Sequence, residues 1–200
     1  MATVLVPLAN GCEELEAVTI IDILRRAEFS VVTAGLTAGP IKGAHGITLV
    51  PDTTLGEAID QTFDMIVLPG GLPGSDHLNS DLRIREIVKK MSDSKRTIAA
   101  ICAAPKVFAS MGLLIGRKVT AYPGVLENMN VPGIRLTGAP VTVDGRIITS
   151  RGPGTAMDFA LALVEELAGI EKRTAVEQAL KRPTLEEIQA AQPPAPENAA

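Results

Sequence analysis

Cys102 has the most chemistry written around it. It stands in Ala99-Ala-Ile-Cys-Ala-Ala-Pro105, after an apolar run that reads as a buried strand and before a proline suited to the first turn of a helix. A side chain at such a strand-to-helix turn is presented at the top of a sheet, and the sharp turn needs small residues two positions away. Here those are Ala100 and Ala104. A helix N-terminus beside the sulfur is expected to lower its pKa toward the thiolate, the nucleophilic form. Cysteine is also commonly buried for packing alone, and the spacing leaves both readings open.

Two other stretches could complete a site. Leu68-Pro-Gly-Gly-Leu-Pro-Gly74 follows an apolar run and offers backbone N–H groups with no side chains in the way. Gly70 and Gly71, with Ala103 after the cysteine, are the expected oxyanion or substrate-binding positions. The alternative for the glycines is a plain turn. Gly70-Gly71 matches neither the phosphate-loop nor the dinucleotide fingerprint. Glu13, Glu14 and Glu16 crowd the start of the first helix. At about 100° per residue, Glu16 falls on the face of Ile20, Ile23 and Ala27, whereas Asp22 and Arg26 mark the solvent side. A carboxyl on an apolar face has a raised pKa and can hold a proton for general acid–base work. Glu13 and Glu14 are expected only to complement the helix dipole. Cys12 lies near the same cleft, either as a packed thiol or as a resolving partner for Cys102. His45 and His77 have no ligand or dyad partner nearby in sequence.

These residues need a scaffold, and the 200-residue chain supplies an ordinary one. Apolar residues make up 46% and charged residues 21%, with a net charge of -4 and no basic cluster, which excludes a dedicated nucleic-acid binder. Aromatics are 2%, so the core must be aliphatic. No apolar run is long enough to span a bilayer, and the first residues lack a basic n-region. Two cysteines imply no disulfide framework and suit a reducing cytoplasm. Two histidines and two cysteines, widely separated, make a structural zinc site improbable.

The expected strands are Thr3–Leu8, Ser30–Gly35, Ile47–Val50, Asp64–Pro69, Thr97–Ile101 and Lys118–Tyr122, with a hairpin of 141–143 and 146–149 around Asp144-Gly145. The expected helices are Glu13–Phe29, a turn or two at Leu55–Ile59, Asp81–Met91, Ala104–Met111 and Pro153–Leu167. Strands alternating with helices mean an α/β doubly wound, mostly parallel sheet with helices on both faces. Residues 1–182 read as one domain, and 183–200 as a polar, Pro-rich tail in which Leu185–Ala191 forms a short exposed helix. Sites in such a sheet form at the carboxyl ends of the strands.

Taken together, Val67-Leu-Pro-Gly-Gly71, Ala99-Ala-Ile-Cys-Ala-Ala-Pro105, Thr149-Ser-Arg-Gly-Pro-Gly-Thr155 and Asn10-Gly-Cys-Glu-Glu-Leu-Glu-Ala-Val18 resemble the ThiJ/PfpI (DJ-1) superfamily, in its deglycase and glyoxalase III-like branch. The likeness runs from Thr3 to about Leu180. It implies a flavodoxin-like, class I glutamine amidotransferase-like fold, a homodimer, and no metal or organic cofactor. It makes Cys102 the nucleophile, Glu16 the protonated carboxyl touching it, and Gly70 and Gly71 amide donors. It implies detoxification of reactive carbonyls: methylglyoxal or glyoxal to a hydroxy acid, or removal of early glycation adducts from protein or nucleotide. The alternative is a stress sensor and redox-regulated chaperone in which Cys102 is oxidised to sulfenate or sulfinate; an unreactive relative is a third. Two departures stand out. Ala103 replaces the His that follows the cysteine in protease-type members, which speaks against proteolysis. Tyr122 stands where some branch members place a His near the site, and a phenol is no base near neutral pH. His45 falls in the stretch the branch uses near its dimer interface.

Overall fold

The computed structural model describes residues 1–183 and 187. Along the chain, β1 (Thr3–Leu8) leads to α1 (Glu14–Arg26) and β2 (Ser30–Gly35). Then come β3 (Ile41–Lys42), β4 (Thr48–Leu49), β5 (Thr53–Thr54), α2 (Leu55–Ala58), β6 (Met65–Leu68), α3 (Gly74–Ser80), α4 (Leu82–Asp93) and β7 (Thr97–Ile101). The remainder is α5 (Pro105–Ser110), β8 (Lys118–Val119), β9 (Arg135–Leu136), β10 (Val141–Asp144), β11 (Ile147–Ser150) and the long α6 (Ala156–Ala179). Seven strands form one sheet in the order β10-β11-β7-β6-β1-β2-β5. All its ladders are parallel except β10 with β11. This is the flavodoxin-like α/β arrangement.

The apolar runs of the strands divide between two cores because successive side chains point to opposite faces. Val4, Val6, Leu8, Met65, Val67, Ala99 and Ile101 face α1 and α6. Leu5, Ile66, Leu68, Ile98 and Ala100 face α2 to α5. Phe159 on the first face and Phe108 on the second are the bulkiest fully buried side chains; with Phe63 at the margin of the second core, mostly aliphatic residues fill the rest, as the scarcity of aromatics requires. The chain starts β1, adds β2 on one side, and crosses to β6 on the other. The loops after β1 and β6 therefore meet at the reversal point, where α/β sheets bind ligands.

The elements depart from the sequence expectations where backbone groups find local partners. α1 stops at Arg26 rather than Phe29, because Glu28 adopts φ 64° and Phe29 N–H donates to Leu24 O at 3.2 Å, a Schellman ending built without glycine. The strand expected over Lys118–Tyr122 is limited to Lys118–Val119 and pairs only with β9. Beyond it, Thr120 N–H donates to Thr149 Oγ1 at 3.0 Å and Tyr122 N–H to Cys102 O at 2.9 Å. Ile47–Val50 yields only β4, which pairs with β3 as a small separate hairpin. The β10–β11 turn is Gly145-Arg146, with Asp144 already paired to Ile147; Gly145 at φ 62° takes the position that demands glycine in a type II′ turn. The last helix opens with a 3-10 turn over Pro153–Thr155, runs on to Ala179, and is interrupted at Gly169. α3 has no counterpart among the expected elements, since Gly-Ser-Asp-His-Leu-Asn-Ser carries a single buried apolar residue, Leu78. The expected helix over Leu185–Ala191 (Glu187 apart) and the Pro-rich segment lie outside the described residues. Among the described residues, no helix is long and apolar enough to cross a membrane.

Candidate active site

Three loops converge at the carboxyl ends of β1, β6 and β7. The first two are locked together by Glu13 N–H donating to Gly70 O at 3.0 Å and Gly74 N–H to Gly11 O at 3.1 Å. Such close backbone approach is possible only where side chains are absent. A Cβ at Gly71, itself at φ 87°, would collide with the backbone of residues 11–13. One at Gly70 would lie 2.6 Å from both Cys102 Cβ and Glu16 Oε2.

Cys102 sits at the end of β7 with φ 62°, a left-handed conformation that costs a non-glycine residue about 1–3 kcal/mol. The surrounding bonds hold it there. Its N–H donates to Ser150 O at 2.9 Å and its carbonyl accepts from Tyr122 N–H at 2.9 Å. Ala100 and Ala104, two residues to either side, are fully buried, as the elbow expectation required. The residue is 9% exposed.

Glu16 is fully buried in the first turn of α1, on the same face as Ile20, Ile23 and Ala27. Its Oε2 accepts from Gly70 N–H at 2.8 Å, and its carboxyl interacts with the Cys102 thiol. Oε1 is buried without a hydrogen-bond partner, so it is the oxygen free to carry a proton. Burial pushes the carboxyl up to about 7, against the opposing pull of the Gly70 amide and the thiol. Burial, then the Glu16 charge, pushes the Cys102 thiol up to about 12, with Gly71 and Ala103 N–H groups pulling the other way. The expected lowering of the thiol pKa by the following helix is therefore overturned, first by burial and then by the Glu16 charge. α5 is six residues long, too short for a strong dipole, and a buried carboxylate faces the sulfur. Once Glu16 is protonated, its repulsion of the thiolate disappears. Two titrating groups this close are coupled, each one's protonation depending on the other's.

The glycine amides divide differently from the expectation that both face the site. Gly70 N–H is spent on Glu16, leaving Gly71 and Ala103 N–H beside the sulfur. Tyr122 is joined to Cys102 through its backbone, and its side chain is exposed. Cys12 is unpaired and buried; burial and then the Glu14 charge push its thiol up to about 11, an environment suited to packing rather than exchange.

His45 lies apart from the sulfur's immediate neighbours, at the mouth of α1, with Nδ1 3.2 Å from Glu14 Oε2 and 3.4 Å from Glu13 Oε2. Glu14 has a larger part than dipole complementation. It is buried, and its Oε1 accepts from His45 N–H at 2.7 Å and Ile47 N–H at 3.1 Å. It thereby anchors the β3–β4 loop to α1, and Gly43 leaves the room it needs. Glu13, Glu14 and His45 bring three potential metal-ligand atoms within 4.8 Å of one another, but most are already committed to these bonds. Sequence reasoning missed the anchor because its partners are backbone amides 31 and 33 residues away. It also gave no part to Ser150, whose carbonyl holds Cys102 and whose hydroxyl meets Thr155 Oγ1 at 2.7 Å; the run Arg151-Gly-Pro-Gly-Thr155 was the available signal.

Comparison with known proteins places this geometry. The chain is 43% identical to protein DJ-1 homolog A of Arabidopsis thaliana over 180 residues, covering 89% of this chain but 46% of that protein; it thus spans about half the length of that relative. It is 39% identical over 171 residues to the glutathione-independent glyoxalase DJR-1.2 of Caenorhabditis elegans, covering 86% of this chain and 90% of the other. The crystal structure of Drosophila melanogaster DJ-1beta superposes with a TM-score of 0.86 at 39% identity, covering 92% of this chain and 99% of that one. With residues 2–166 matching its family description as well, the chain belongs to the DJ-1/PfpI family.

Proposed function

We propose that the protein detoxifies small α-oxo aldehydes, converting methylglyoxal or glyoxal to a hydroxy acid without a cofactor. The observation that carries the reading is the buried Glu16 carboxyl, raised to about 7 and in contact with a cysteine at a strained elbow. The likeness to a glyoxalase-named relative supports it.

Transfer of the Cys102 proton to Glu16 gives the thiolate, which attacks the aldehyde carbon and forms a C–S bond while that proton passes on from Glu16 to the carbonyl oxygen. The product is a thiohemiacetal whose developing oxyanion can be met by the Gly71 and Ala103 N–H groups. Glu16, now ionised, removes the proton on the former aldehyde carbon, and the resulting enediol takes a proton back at the neighbouring carbon. The aldehyde carbon has been oxidised to a thioester and the ketone reduced to an alcohol. Water cleaves the thioester and releases lactate and the thiol. The net change is addition of one water. The same thiol and acid serve removal of aldehyde adducts from protein or nucleotide, since the bond being broken is again to a hemiacetal-type carbon.

We further propose that the chain forms a homodimer. Leu15 and Val18 on α1 and Ile47 beside the β3–β4 hairpin are exposed and line one surface depression, and apolar side chains grouped in this way mark association surfaces. A second role, redox sensing with a change in partner binding or chaperone behaviour, is favoured by the Gly71 and Ala103 N–H groups at the sulfur, which suit the oxygens of a sulfinate.

The test is lactate formation from methylglyoxal by the wild-type chain, Cys102→Ser and Glu16→Gln. Multiple turnovers lost in both variants support the enzymatic reading. Lactate no greater than the variants produce would overturn it for this substrate, and peroxide titration of Cys102 by mass would then decide the sensor reading.

A further inference from the structure

A cleft of about 340 Å³ lies between Tyr122 and Pro123 on one side and residues 151–155 on the other; Cys102 does not line it, but its backbone is bonded to both sides. Both walls hang from the peptide of Cys102. Tyr122 N–H donates to the Cys102 carbonyl, and the Cys102 N–H is held by Ser150, the residue before Arg151. The loop is fixed by Gly152 N–H donating to Thr155 Oγ1 at 3.1 Å. Gly152 also lies against the Tyr122 ring, where a Cβ would come within 3.2 Å of Cδ2. The cleft is therefore built rather than incidental.

Its lining has one permanently charged group. Arg151 Nη1 donates to Gly138 O at 3.1 Å, and among the described residues no carboxylate comes within ion-pair distance of its guanidinium. Arg85 and Arg135 also bond only to neutral oxygens, but of these three only Arg151 lines the cleft. A guanidinium has five N–H donors in a planar fork that fits a carboxylate with two parallel bonds, and here one bond is to a carbonyl. No acidic residue lines the cleft.

We propose that this cleft is the anion subsite of the active centre, with Arg151 as its specificity-determining residue, and that the preferred substrates are α-oxo aldehydes carrying a carboxylate on a short arm. This rests on the aldehyde chemistry assigned to Cys102 above. The arm replaces the methyl group of methylglyoxal and lies between the Tyr122 ring and the 151–155 loop, its carboxylate on Arg151. The reaction is unchanged: water adds, the aldehyde carbon becomes a carboxylate, and the adjacent ketone becomes an alcohol.

Two measurements decide it. The first compares alkylation of Cys102 by iodoacetate and by iodoacetamide, read on the Cys102 peptide by mass, in the wild-type chain, Arg151→Gln and Arg151→Lys. The ratio of anionic to neutral rate is expected to fall about fivefold in Arg151→Gln and to be largely kept in Arg151→Lys, which retains the charge. A ratio unchanged in Arg151→Gln overturns the proposal. The second compares 4,5-dioxopentanoate, giving 2-hydroxyglutarate, with methylglyoxal, giving lactate. The wild-type kcat/KM is expected to favour the carboxylate substrate by about tenfold, and Arg151→Gln to erase that preference through KM. Turnover of methylglyoxal without any preference overturns the subsite alone. If neither substrate turns over, the aldehyde reading itself fails, and the alkylation ratio still decides whether the cleft selects anions.

Discussion

Glu14 and Glu16 are two residues apart on the same helical turn and both buried, yet their carboxyls are driven in opposite directions. Burial pushes Glu14 toward the neutral form, but the backbone N–H groups at its own position, His45 and Ile47, together with the His45 ring, outweigh it and hold its pKa below the ordinary value. Glu16 receives one amide bond, from Gly70, and keeps Oε1 unpartnered, so burial wins. Burial alone does not set the charge of a carboxyl; the number of donors delivered to it does. One glutamate is consequently a fixed anion that ties a loop to a helix. The other is raised toward its protonated form beside a sulfur.

The largest expected consequence separates the two in function. Glu16→Gln retains shape and the Gly70 bond but cannot transfer a proton, and turnover of methylglyoxal is expected to fall about 10²–10⁴-fold. Glu14→Ala should act on the fold instead. It strands the His45 and Ile47 amides and should lower the unfolding free energy by about 3 kcal/mol, measured by urea denaturation. A Glu14→Ala chain as stable as the wild type would break the contrast. Next, Gly70→Ala drives a methyl between Cys102 and Glu16; turnover should drop about a hundredfold from misplacement of the pair.

A smaller effect has its sign fixed by linkage. The folded pKa of Glu16 lies above its ordinary value of 4.5, so the native state binds this proton more tightly than the unfolded chain does. Its contribution is fully present below about 4.5 and is lost as pH rises through about 7. Glu16→Gln should therefore gain stability on the wild type across that window, by at most about 3 kcal/mol above it. The smallest effect concerns His45, whose pKa is raised by the Glu14 bond and the nearby Glu13 and Glu14 charges. An NMR titration should place its midpoint above 6.5 and return it toward that value in Glu14→Gln. The His45–Glu14 contact is present at lower pH and lost as pH rises through that midpoint.

The same pair shows what the sequence discloses. The place of Glu16 on an apolar helix face follows from 3.6-residue periodicity, and the elbow at Cys102 from a buried strand meeting small residues and proline. β2 and β7 were legible to the residue because both are apolar runs bounded by turn residues. Glu14 was not legible, since its fate depends on amides in a hairpin that carries almost no periodic pattern. α3 was hidden by its polar composition, and the short β8 by amides diverted to Thr149 and Cys102. The division of the Gly70 and Gly71 amides was invisible for a related reason: adjacent glycines are equivalent until the fold aims their N–H groups at different atoms.

The most direct test of the proton on Glu16 is a ¹³C NMR titration of its side-chain carboxyl from pH 3 to pH 9, assigned by loss of the signal in Glu16→Gln. A midpoint near 7 would show a carboxyl kept protonated beside Cys102 up to neutral pH, as the account predicts. A midpoint near 4.5 would mean that Glu16 is an ordinary carboxylate like its neighbour, and the assignment of Glu16 as proton donor would be contradicted.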